Sequence, residues 1–64
     1  MILKDFISLF EADFGVLVFV HSKSGSLNLA HTGSSSKIPD NLLNFTIMKC
    51  MTYLGGISID VKEV

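Results

Sequence analysis

The chain has 64 residues, 48% of them hydrophobic and 17% charged, with a formal net charge of −1. That length suits a single domain, 1–64, which hides only about 60% of the surface its unfolded form exposes, and the composition excludes a disordered chain. Near-neutral charge removes the attraction that supplies most non-specific nucleic-acid affinity, and a single cysteine excludes an intrachain disulfide.

From Met1 onward, Leu3, Phe6, Ile7 and Phe10 recur at the i, i+3, i+4, i+7 spacing of an amphipathic helix. The spacing predicts a first helix that stops between Phe10 and Asp13, with Gly15 just beyond as a helix terminator. Val16-Leu17-Val18-Phe19-Val20 is β-branched and aromatic and reads as a strand, closed by the turn formers Ser22-Lys23-Ser24-Gly25. Leu27, Leu29 and His31 then alternate with Asn28 and Ala30, predicting a second strand paired back on the first. A two- or four-residue turn would set His31 on the inner face with Val16, Val18 and Val20, and His21 on the outer face with Leu17 and Phe19.

Thr32 to Lys37 has no periodicity and reads as a loop, after which Pro39 suits the first position of a helical turn pinned by Ile38, Leu42 and Leu43. Two apolar runs, Phe45 to Leu54 and Ile57 to Val61, flank Gly55-Gly56. If that pair is the hairpin loop, Leu54 opposes Ile57, with Cys50, Thr52 and Met48 facing inward and Ile47, Lys49, Met51 and Tyr53 outward. The expected fold is α+β: an N-terminal helix packed on a small antiparallel sheet of about four strands, two hairpins joined by a short helical turn.

No constellation of chemistry stands out. Two histidines on opposite faces of a hairpin do not make a metal site, because structural sites draw on four ligands. Cys50 among aliphatic neighbours reads as a buried, inert thiol rather than a nucleophile. Gly33-Ser34-Ser35-Ser36-Lys37 lacks the second glycine and the following Ser or Thr of a phosphate loop, and Ile38-Pro39 follows instead. Ser34, His31 and Asp40 are residues that any short polar loop offers, so no triad is read from them. No catalytic residue, metal ligand or cofactor site is assigned.

The longest apolar run, Phe14 to Val20, is too short for the roughly 20 residues of a membrane-spanning helix. The N-terminal segment lacks the pattern of a signal peptide. No membrane association is expected, and a cytoplasmic location agrees with an unpaired cysteine. What remains is the outer face of the sheet, where Leu17, Phe19, Ile47, Met51 and Tyr53 form a candidate interface larger than a monomer ordinarily leaves in water; either the sheet curls so that they make a second small core, the turn at Pro39 to Leu43 folds across them, or another chain binds there.

Leu3-Lys4-Asp5-Phe6-Ile7, Ile38-Pro39-Asp40-Asn41-Leu42-Leu43 and Ile57-Ser58-Ile59-Asp60-Val61 together resemble a type of small uncharacterised protein of bacteriophages and prophages of gut bacteria. Those chains run from an "LK(D/E)(F/L)(I/L)" helix through a hairpin to "IP(D/E)xLL" and a final alternating strand. The Ser-rich, weakly charged middle departs from the acidic middle of that type, which argues against nucleic-acid mimicry. The resemblance implies a mobile-element setting, in which very small proteins act by binding host or phage proteins, anti-CRISPR proteins among them. It carries over no functional residue. The expected function is a non-enzymatic, protein-binding accessory module. A homodimer joined through its outer faces is the alternative, and a nucleic-acid-binding module using Lys23, Lys37, Lys49 and Lys62 stands third.

Overall fold

Two hairpins lie side by side in one four-stranded sheet. The structure, a computed structural model, describes residues 1–63. The elements run α1 (Leu3–Ile7), β1 (Gly15–His21), β2 (Leu27–Ser34), a 3-10 turn (Ser35–Lys37), α2 (Asp40–Leu43), β3 (Thr46–Tyr53) and β4 (Gly56–Lys62). The sheet order is β2-β1-β4-β3.

The expected all-antiparallel sheet is therefore corrected to a mixed one, since β1 and β4 pair in parallel, Val16 beside Ile57 through His21 beside Lys62. The connection between the hairpins explains this. Ile38 and Leu42 in that connection are buried, so it crosses the inner face and delivers β3 to the far edge. The two strands richest in β-branched residues thereby take the centre, where both flanks are covered.

Leu3, Val16, Val18, Val20, Ile38, Leu42, Ile59 and Val61 make the core, with Phe6, Ile7, Phe14, Phe45 and Ile47 packed against it. Both helices lie on this one side. α1 is shorter than its apolar period predicts. At its start the chain is extended and bonded to β3: Leu3 N–H donates to Phe45 O and Ile47 N–H to Met1 O, each at 2.9 Å. At its end the last turn tightens, with Leu9 N–H on Phe6 O and Phe10 N–H on Ile7 O. Phe10 still follows the helical face, stacking edge-on against Phe6 at 5.3 Å and tilted against Phe14 at 4.5 Å.

Three register details depart from expectation. The β1–β2 turn has three residues, Lys23-Ser24-Gly25, because Gly25 at φ +93° takes the left-handed position that such a turn requires. A bulge at Ala30 then restores His31 to the place opposite Val18, but Leu27 and Leu29 fall opposite His21 and Phe19 on the outer face. The β3–β4 loop is Leu54-Gly55, with Tyr53 opposite Gly56. Gly56 belongs to the strand because it lies against β1: a Cβ there would stand 2.2 Å from the Gly15 carbonyl oxygen. The two-residue shift keeps Cys50 and Thr52 inward and Met51 and Tyr53 outward. A second bulge, at Met48, turns Ile47 inward opposite Val61.

Candidate interaction surface

The outer face is built from four strands and nothing covers it among the described residues. Reading across the sheet, Thr32, Leu17, Ser58 and Met51 form one row, Leu29, Phe19, Asp60 and Lys49 the next, and Leu27, His21, Lys62 and Thr46 a third. Period-two alternation puts these residues on one side, and the absence of a second layer leaves them there. Leu17 and Phe19, on a central strand, are half-buried by their neighbours, whereas Leu27, Leu29, Met51 and Tyr53 are exposed. The small Ser58 and Gly56 separate the two apolar groups, so a partner could bridge them.

One corner of this face is charged. His21 Nε2 lies 3.1 Å from Asp60 Oδ2, and Lys49 Nζ lies 3.9 Å from the same oxygen. Lys49 faces Asp60 across β3 and β4, and His21 reaches it diagonally from β1. They give the apolar band a polar border and so orient whatever sits on it, with Lys49 open to water and the Asp60 side chain largely shielded.

Of the five residues expected to form the interface, Leu17, Phe19, Met51 and Tyr53 share this face, and Ile47 is corrected to the inner side by the Met48 bulge. Leu27 and Leu29 take its place. Gly25, at the end of a serine-rich turn, was the signal for the three-residue loop that sends them outward. Cys50, expected to be buried, is exposed. It faces inward opposite Ile59, but the covering layer meets the edge strand only at its start, around Thr46 and Ile47, and leaves the stretch from Met48 onward exposed.

The serine run is engaged by the protein's own carboxylate. Ser34 Oγ donates to Asp13, as do Ser35 Oγ at 2.7 Å, Ser36 N–H at 3.0 Å and Ser36 Oγ at 3.0 Å. These bonds, that from Ser34 foremost, hold the Asp13 carboxyl far below the usual carboxylate range. An aspartate thus sits where a phosphate loop would need its anion, and Ser34 serves Asp13 rather than His31. His31 Nε2 donates instead to the Ser34 carbonyl oxygen at 2.9 Å. Among the described residues no three His, Cys, Asp or Glu side chains converge, and no helix is long and apolar enough to cross a membrane.

No protein-family model, no curated protein and no solved structure matches the chain. The functional reading therefore rests on the surface itself.

Proposed function

We propose that this chain is a non-enzymatic, protein-binding accessory module of phage or mobile-element type, which acts by covering a surface of its target. The target class is a host defence complex such as CRISPR-Cas, and the encounter takes place in the cytoplasm. One observation carries the reading: Leu17, Phe19, Leu27, Leu29, Met51 and Tyr53 share a sheet face with no covering layer among the described residues. Apolar faces with a polar border mark sites where proteins meet, and methionine and tyrosine are enriched there.

The test uses Phe19→Lys and Met51→Asp. Lysine is chosen at position 19 because Phe19 lies beside Asp60, whose carboxylate the new ammonium would share with His21 and Lys49. Wild type is expected to retain a protein from host extract that both variants lose, and to re-form a complex with it from purified components. Retention by all three proteins overturns the reading. Unfolding of both variants, seen by circular dichroism, would make these residues a second core.

A further inference from the structure

The two edges of the sheet are not equivalent. Both edge strands carry a bulge, at Ala30 in β2 and Met48 in β3, but β3 also carries Lys49, and Ile2 bridges to Thr46 at its start. Charge, bulges and a covering segment are the ordinary means by which an edge is kept from pairing. β2 has no charged residue and no proline between Leu27 and Ser34.

The hairpin turn decides which backbone groups of β2 are free. Ser22 N–H donates to Ser26 O at 2.9 Å, so Ser22 and Ser26 are a hydrogen-bonded pair. Alternation along the ladder then makes Val20–Asn28 a bonded pair, and His21–Leu27 and Phe19–Leu29 non-bonded ones. In non-bonded pairs the N–H and C=O groups point away from the neighbouring strand. Those of Leu27 and Leu29 therefore face solvent, and the side chains of both residues are more than half exposed. Beyond them the Ala30 bulge and Gly33, at φ +118°, end the regular edge.

We propose that this edge pairs with the same edge of a second copy of the chain, antiparallel, about a two-fold axis at Asn28. Leu27 exchanges both backbone hydrogen bonds with Leu29 of the second copy, and Leu29 with its Leu27. Leu27-Asn28-Leu29 reads the same in both directions, so a second copy meets it with identical residues in the register that the two-fold axis demands. No charges are opposed across this edge, whereas pairing two β3 edges would bring lysines together. The product is one eight-stranded sheet in which the exposed leucines of both copies extend a common outer face. The inference uses the edge and stands whether or not the outer face binds a target.

Asn28→Cys in a Cys50→Ser background tests it. At a non-bonded antiparallel pair the two Cα atoms stand about 4.5 Å apart, within the span of a disulfide. Under mild oxidation this variant is expected to cross-link about ten-fold faster, or more, than Ser24→Cys in the same background, because pairing raises the local thiol concentration. Equal rates, or no covalent dimer, overturn the proposal. Leu29→Pro removes a solvent-facing N–H and leaves the β1 ladder intact, so sedimentation is expected to show self-association of the wild type and a monomeric variant. A wild type that stays monomeric at millimolar concentration overturns the proposal too. Cross-linking at position 28 that persists when Phe19→Lys has lost its target separates this edge from the outer face.

Discussion

β1 supplies both sides of the sheet, and its two sides meet different fates. Val16 and Val18 are fully buried and Val20 nearly so, while Leu17 and Phe19, their immediate neighbours in sequence, are only half-buried. The residues are equally apolar; what differs is cover. α1, α2 and the connection between the hairpins provide one layer, and all of it lies on the valine side. The difference teaches that hydrophobicity places a residue on a face, whereas burial depends on where the rest of a short chain can reach.

The largest test of this contrast is Leu3→Ala. Leu3 is fully buried at the centre of the covering layer, and deletion of such a side chain costs about 2–5 kcal/mol. A chain of this length holds only about 3–10 kcal/mol in all. Urea unfolding of Leu3→Ala is expected to begin near zero denaturant, whereas Phe19→Lys on the other face shifts the midpoint slightly. Similar shifts for the two would show that both faces are core.

Much of this fold is written locally. Period-two alternation places Val16, Val18 and Val20 opposite Leu17 and Phe19, Pro39 marks the turn before α2, and Gly55-Gly56 marks the second hairpin to within two residues. The parallel pairing of β1 with β4 is not local, because it follows from the route that buried Ile38 and Leu42 impose on the connection. Bulges are legible only in part. The three-residue turn sends Leu27 and Leu29 to the outer face and the extra residue at Ala30 returns His31 to the inner one, while the extra residue at Met48 turns Ile47 to the core. α1 starts late because backbone bonds tie Met1 and Leu3 to the β3 segment, with which they share no sequence neighbourhood, and it ends early where its last turn tightens.

A smaller effect is expected at Asp13, which ties the segment after α1 to the turn before α2 and so fastens the covering layer in place. Its carboxyl is held far below the ordinary 3.8 by the serine bonds. A depressed carboxyl contributes fully at pH values above the ordinary one, and the contribution fades as pH falls toward the folded-state value. The Tm difference between wild type and Asp13→Asn is therefore expected to be constant from pH 7 to about pH 5 and to shrink steadily as pH falls below about 4. A difference undiminished at pH 2 would mean that the serine contacts do not depend on the charge.

Cys50 carries the smallest expected effect on stability and sharpens the comparison most directly. It lies on the inner side of the sheet, opposite the fully buried Ile59, yet it is exposed. If inward orientation alone conferred burial, a thiol reagent would reach it only after global unfolding, and modification would be slowed by the full folding equilibrium. Incomplete cover predicts the opposite. Native Cys50 should react within about ten-fold of the rate in denaturant, with no opening step required, and Cys50→Ser should change stability by no more than about 0.5 kcal/mol. Protection of several hundred-fold would extend the covering layer to β3 and leave the outer face as the sheet's single open side.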